Sequence, residues 1–176
     1  MATLIVLIGY RGSGKSTVAR LTALQLGWDW VDADVEIELR AGKSIAAIFA
    51  DEGEEVFRDL ETVVLDELLQ RDKTVLALGG GVVLREKNRQ RLEQAVAMQR
   101  GKIVWLQAAP EALWERIQAD ATTAARRPNL TAAGGVEEIR QLLMVREPLY
   151  RACANSIIRT EEKTAAEVVE EILREI

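Results

Sequence analysis

Short apolar runs alternate with helix-spaced apolar positions along most of the chain. The runs cover residues 3–8, 30–32, 74–78, 102–107 and 156–159. Near-continuous apolar strands separated by helices are typical of a parallel sheet covered on both faces. The pattern therefore predicts an α/β fold, a three-layer sandwich around a five-stranded parallel sheet. Ligands on such sheets bind beyond the carboxyl ends of the strands, so the residues that follow each run are the candidates for function.

One long stretch departs from this alternation. Residues 33–73 separate the second and third runs, which is more than one crossover helix requires. Within it, helical spacing recurs at 35–39, 44–49 and 54–70. We interpret this part of the chain as an inserted helical subdomain beside the mouth of the sheet.

The first run leads into a glycine-rich segment, Gly9 to Thr17, which fits the pattern G-x-x-x-x-G-K-[ST]. Glycines let consecutive N–H groups turn toward one anion, and the helix that begins near Lys15 adds its positive dipole end. Lys15 can reach the terminal phosphates and the Ser16 hydroxyl can hold Mg²⁺. The segment therefore predicts a nucleoside triphosphate site. The alternative is a glycine-rich strand–helix turn with a solvated lysine.

Residues 119–135 form a second departure, rich in Ala and Thr and poor in large apolar side chains. Such a stretch buries little surface, so we expect it to be mobile. Arg126 and Arg127 lie within it, and arginines on a mobile segment near a triphosphate favour a closing lid. A solvated basic loop is the alternative.

Composition limits the possible classes. The 176 residues suit one domain, 1–176, and the net charge of −5 argues against a nucleic-acid partner. The chain has no histidine, and its one cysteine, Cys153, indicates a reducing compartment. Since no apolar run approaches the ~20 residues of a membrane span, we expect a cytoplasmic enzyme with no membrane partner. We also expect a monomer.

Two polar or glycine-rich signals follow the second and third runs. Asp32 and Asp34 lie where one carboxylate could anchor the Mg²⁺ shell and the other meet an acceptor hydroxyl, although a turn or helix cap also favours aspartate. Gly79, Gly80 and Gly81 end the third run, and three glycines are expected where a ligand lies against bare backbone.

Two arginines are equivocal on spacing alone. Arg58 has Glu54 four residues before it and Glu61 three after, which fits a surface intrahelical pair. Arg146 precedes Glu147-Pro148 near an expected helix end, where the dipole favours a cation.

Six motifs in order resemble the shikimate kinase family, nearly end to end. They are the phosphate loop, Asp32-Ala33-Asp34, Phe57-Arg58, Gly79–Gly81, the lid Arg127-Pro128, and Arg146-Glu147-Pro148-Leu149-Tyr150. The resemblance implies a P-loop NTPase fold with a substrate-binding insert at about 33–60 and a mobile lid at about 119–135. It also implies an ATP-dependent transferase that converts shikimate to shikimate 3-phosphate in aromatic amino-acid biosynthesis.

The resemblance assigns roles to single residues. Lys15, Asp34 and Arg127 would be catalytic, and Ser16 with Asp32, through water, would hold Mg²⁺. ATP would bind the residues of the loop and two arginines, Gly12, Ser13, Gly14, Lys15, Ser16, Thr17, Arg116 and Arg127. Shikimate would contact Asp34, Arg58, Gly79, Gly80, Gly81 and Arg146. The lid reads Arg-Pro-Asn-Leu where many members have Arg-Pro-Leu-Leu, which leaves the division of work between Arg126 and Arg127 open.

Two other functions compete with this one. Another small P-loop kinase could phosphorylate gluconate or a nucleoside monophosphate. A nucleotide acceptor would require several basic residues, whereas the insert offers mainly Arg40, Lys43 and Arg58 among acidic neighbours. A nucleotide-dependent switch would require a guanine-reading N-K-x-D segment, which the sequence lacks.

Overall fold

The computed structural model describes residues 3–98, 100–120 and 134–176. Its five strands are β1 (Leu4–Ile8), β2 (Asp29–Asp32), β3 (Thr74–Ala77), β4 (Gly101–Gln107) and β5 (Ser156–Arg159). They form one parallel sheet in the order β2-β3-β1-β4-β5. The predicted α/β fold and its five-stranded parallel sheet are confirmed.

Eight α-helices occur in the described part of the chain. They are α1 (Lys15–Leu26), α2 (Ala33–Ala41), α3 (Ile45–Asp51), α4 (Glu54–Leu68), α5 (Glu86–Ala97), α6 (Pro110–Ala119), α7 (Gly135–Cys153) and α8 (Ala165–Arg174), with a 3₁₀ turn at Val82–Leu84. The three helical patterns predicted between the second and third strands correspond to α2, α3 and α4. None of the described helices is long and apolar enough to cross a membrane.

The sheet separates two cores because side chains alternate between its faces. Leu4, Val6 and Ile8 of β1 pack into the larger core with α2 to α7. Ile5 and Leu7 face the smaller core, which α1 and α8 cover. All five β1 residues are fully buried, so β1 lies at the centre of the three layers.

The same arrangement brings the loops after the strands together. Because all five strands run parallel, the carboxyl ends of β1, β2, β3 and β5 lie at the same end of the sheet. Asp32 is the last residue of β2, and the other strands are followed by Gly9–Thr17, Gly79–Gly81 and Thr160. The fold therefore places nearly all of the loop residues predicted from the sequence at the carboxyl end of the sheet.

Candidate active site

The segment from Gly9 to Thr17 comprises the loop after β1 and the first turn of α1, in a backbone conformation that depends on glycine. Gly14 caps α1 with φ of 93°. A Cβ on Gly9 would lie 2.5 Å from the carbonyl oxygen of Leu106, and the φ of Gly9 is 141°. Any side chain at these positions would strain or displace the loop. The first N–H groups of a helix have no partner within the helix, so those at the start of α1 can face an anion.

Lys15 folds back over this loop. Its Nζ donates to the carbonyl oxygens of Gly9 and Tyr10, both at 2.8 Å, and lies 3.4 Å from the Ser13 Oγ. These contacts hold the ammonium group against the loop. A phosphate bound in the loop would lie within reach of this charge.

Asp32, the last residue of β2, and Asp34, in α2, have different contacts. Asp32 Oδ2 accepts a 2.5 Å hydrogen bond from the Ser16 hydroxyl, and Asp32 Oδ1 accepts from the Asp34 N–H and so caps α2. The helix-cap interpretation and the binding interpretation of Asp32 are therefore compatible. Asp34, in the first turn of α2, has one buried carboxylate oxygen and lines a cleft beside the phosphate loop.

A cleft of about 510 Å³ runs from the phosphate loop across the ends of β2 and β3. Most predicted site residues in the described part of the chain line it: Gly12, Gly14, Lys15, Ser16, Thr17, Asp32, Asp34, Gly79, Gly80 and Arg116. Four do not, and these are Ser13, Arg58, Gly81 and Arg146. All four are nevertheless buried.

Arg58 is not the surface residue that its spacing allows. Its side chain is 8% exposed and bonds Glu61, itself 3% exposed, at 2.7 Å. It also pairs with exposed Glu54 at 3.2 Å. A Cβ on Gly81 would lie 2.5 Å from both terminal nitrogens of Arg58. Arg58 therefore lies directly against the backbone that follows β3.

The glycines after β3 have reasons within the protein itself. A Cβ on Gly80 would lie 3.2 Å from the Gly9 carbonyl oxygen, and Gly81 leaves room for Arg58. Of the two, only Gly80 lines the cleft. From the sequence, a bound ligand is expected against the whole glycine run. In the structure, close contact with the phosphate loop and with Arg58 accounts for two of the three glycines.

Arg146 lies well inside α7, and not near the helix end expected from Pro148. The helix continues through Pro148 to Cys153. Arg146 is 5% exposed, its Cζ lies 5.6 Å from the centre of the Tyr10 ring, and its Nε has no hydrogen-bond partner in the described structure. A buried guanidinium with an open donor is suited to bind an anion.

Arg116 connects the phosphate loop to the residue after β5. It donates to the hydroxyl and carbonyl oxygens of Thr160, at 2.9 and 2.6 Å, and lies 3.5 Å from the Gly12 carbonyl oxygen. Arg116 and the segment after Arg159 therefore lie in direct contact at this end of the sheet.

The family model for shikimate kinase matches residues 11–176. The chain belongs to the shikimate kinase family. The shikimate kinase of Rhodopirellula baltica is 46% identical over 97% of this chain and 88% of its own length, and that of Chromohalobacter salexigens is 44% identical over 97% and 89%. The structure of the Acinetobacter baumannii shikimate kinase in complex with shikimate is 39% identical, with a TM-score of 0.89 over 99% of this chain and 92% of that one.

Membership of the shikimate kinase family decides among the competing functions. The chain is an ATP-dependent kinase of the shikimate pathway, and neither a gluconate kinase nor a nucleotide-dependent switch has comparable support. The expected lid lies mostly outside the described residues, together with Arg126, Arg127 and Pro128.

Sequence reasoning overlooked several residues around the shikimate kinase cleft. Arg11, Trp30, Val35, Glu38 and Ile45 line it beside the predicted set. Arg11 occupies a variable position of the loop motif, and Trp30 lies in β2. The other three follow from how α2 and α3 pack. The start of α2 next to Asp32 was the available signal for Val35 and Glu38, since they lie one and two turns further along.

Proposed function

We propose that this cleft transfers the γ-phosphoryl group of ATP to the 3-hydroxyl of shikimate. The chain is an ATP-dependent kinase that acts on a shikimate hydroxyl, and the proposal concerns the position and the residues. One observation carries it: a single continuous cleft joins the phosphate loop, Asp34 and Gly79–Gly80. Donor and acceptor can therefore lie side by side without a large movement of the sheet.

The donor half is built by the loop and Arg116. Gly12, Ser13, Gly14, Ser16 and Thr17 surround the β- and γ-phosphates through backbone and hydroxyl groups. The adenine lies beyond them, beside Arg116 and the segment after Arg159, because Thr160 holds Arg116 at that end of the sheet.

Ser16 and Asp32 are suited to hold Mg²⁺. Their hydroxyl and carboxylate oxygens are 2.5 Å apart, and oxygen is the donor atom that Mg²⁺ prefers. In the described residues no cluster of three or more acidic, Cys or His side chains could hold a metal alone. This fits an ion shared between one or two protein oxygens and the substrate phosphates. When bound, Mg²⁺ supplies charge neutralisation at the β- and γ-phosphate oxygens.

The acceptor half binds shikimate between the insert and the end of β3. Arg58 and Arg146 bind the carboxylate with planar guanidinium groups, and Gly79 and Gly80 lie against the ring. Gly81 leaves room for Arg58. Asp34 accepts a hydrogen bond from the attacking hydroxyl. These positions make the substrate hydroxyl point toward the phosphate loop.

Transfer itself depends mainly on alignment and charge. The hydroxyl oxygen bonds to the γ-phosphorus while the bond to the β–γ bridging oxygen breaks, and the hydroxyl proton passes to Asp34. Lys15 and Arg127 neutralise the charge on the transferred group. We assign exclusion of water to the lid at about 119–135, and substrate binding to the insert at about 33–60 of one 1–176 domain. The enzyme works as a cytoplasmic monomer.

ADP release measured with shikimate, gluconate and a nucleoside monophosphate in parallel tests this function. Only shikimate should accelerate it, and NMR of the product should place the phosphate on O3. Asp34→Asn should lower kcat by roughly 100-fold or more, whereas Glu36→Gln, two residues away on α2, should leave it unchanged. No acceleration by shikimate would refute the function, and an unchanged Asp34→Asn enzyme would refute the role of Asp34.

A further inference from the structure

A buried ion pair links the phosphate loop to the far part of the chain. Glu138, in the first turn of α7, is 1% exposed, and its Oε1 lies 3.1 Å from Nη2 of Arg11, whose side chain is 11% exposed. Removing a carboxylate from water is costly unless a cation compensates it. The helix dipole favours acidic residues at a helix start but does not explain why Glu138 is buried. Glu137 lies in the same turn, has the same interaction with the dipole and is exposed.

Arg11 is placed where an effect on the reaction is expected. It precedes Gly12 in the phosphate loop and lines the cleft. The next residue toward β1, Tyr10, presents its ring to two guanidinium groups, with Arg11 Cζ at 6.0 Å and Arg146 Cζ at 5.6 Å from its centre. The phosphate loop and Arg146, which we propose binds shikimate, therefore belong to one buried cluster.

Helix α7 also contacts the proposed shikimate half of the site directly. The Tyr150 hydroxyl, near the end of α7, donates a 2.5 Å hydrogen bond to the Gly80 carbonyl oxygen. Along its length, α7 thus contacts the donor loop through Glu138 and the substrate-facing backbone through Tyr150. Arg146 lies between these two points. A change in how α7 packs against the loop would move Arg146 relative to the phosphates.

We propose that Glu138 is a positioning residue for phosphoryl transfer, which acts through Arg11. The ion pair fixes the phosphate loop against α7, so that the acceptor held by Arg146 stays aligned with the γ-phosphate. This inference rests on the proposed function of Arg146 as a shikimate ligand. It adds a residue that contacts neither substrate, since its carboxylate faces Arg11.

Glu138→Gln tests the proposal because it removes the charge and keeps the shape of the side chain. We expect kcat to fall about tenfold to hundredfold, as misalignment of the reacting groups does. The dissociation constants of ADP alone and of shikimate alone should each stay within about threefold of the original enzyme. The binding stoichiometry in calorimetry reports the folded fraction, so partial unfolding cannot imitate a loss of kcat.

Two further variants make the result specific. Glu137→Gln changes an exposed carboxylate on the same turn and should leave kcat unchanged. Arg11→Met and the double variant Arg11→Met/Glu138→Gln should have about the same kcat as Glu138→Gln, because they break the same pair. The double variant removes both charges, which keeps the test valid if a lone buried charge prevents folding.

An unchanged kcat in Glu138→Gln, or single effects that multiply in the double variant, would overturn the proposal. Loss of binding in proportion to kcat would do so too, since it indicates a structural role alone. The original enzyme is assayed with shikimate in the same series. If it fails to turn over, the proposed function is wrong; if it turns over and Glu138→Gln matches it, only the role of Glu138 is wrong.

Discussion

Gly81→Ala is a small change with a large expected effect on shikimate affinity. Gly81 has φ of −96° and ψ of 0°, a conformation open to alanine, so backbone strain does not confound the substitution. The added Cβ would lie 2.5 Å from both terminal nitrogens of Arg58 and 2.8 Å from its Cζ. The guanidinium would have to retreat by about 0.9 Å to reach an ordinary contact of 3.4 Å.

The surroundings of Arg58 resist that retreat. Glu61 holds one terminal nitrogen at 2.7 Å, and the Phe57 ring centre lies 5.0 Å from Cζ. A charged hydrogen bond contributes roughly 1.5–3 kcal/mol, so losing one to the substrate carboxylate corresponds to about a 10- to 150-fold weaker affinity. We expect the shikimate dissociation constant to rise within that range while ADP binding stays the same.

Isothermal titration with shikimate and with ADP measures both affinities on one preparation. Gly101→Ala is a matched control, because its Cβ would meet the Ala95 Cβ at 3.4 Å, an ordinary contact remote from the cleft. A shikimate affinity within about threefold of the original in Gly81→Ala would refute the argument that Arg58 must lie against this backbone. Equal loss of ADP affinity would indicate damage to the phosphate loop and would also refute it.

Further outcomes follow from other side chains. Lys15→Ala should lower kcat in ADP release by about 100-fold or more with little change in thermal midpoint, and substantial residual turnover would contradict its role. Arg58→Ala should weaken shikimate binding while ADP binding persists, and urea unfolding should show a loss of roughly 3–5 kcal/mol because buried Glu61 loses its ion pair. Arg146→Met should weaken shikimate binding more than Arg58→Met does, as titration would reveal. Burial raises the pKa of the Cys153 thiol, so iodoacetamide at pH 8 should alkylate the native chain more slowly than the urea-unfolded chain; equal rates would argue against that burial.

Much of the fold follows from local signals. The strand at Leu4–Ile8, the loop and α1 are consecutive, so their order and chemistry can be read without any long-range contact. Asp32 could be predicted for the same reason, because it ends β2 directly. The five strands had recognisable apolar runs, and a parallel sheet brings their ends together whatever the packing details.

The surroundings of the arginines could not be read in this way. Spacings of three and four residues on a helix are the same for a surface pair and a buried one. Arg58 lies near the end of β3 only because α4 packs it against Gly81. The pair of Arg11 and Glu138 joins positions 127 residues apart. No local pattern marks such a contact, since it depends on how α7 docks on the loop.

The described charges also separate the two arginines assigned to the shikimate carboxylate. Arg58 already shares its charge with Glu61 and with Glu54, which is exposed and can turn into solvent at little cost. Arg146 is buried, and among the described residues it has neither an ion pair nor an acceptor for its Nε. A carboxylate bound between them can therefore form hydrogen bonds with the planar guanidinium group of Arg58. At Arg146 it also compensates a buried positive charge. Since an uncompensated buried charge is the costlier state, the attraction toward Arg146 is the stronger one, and its removal should weaken binding further.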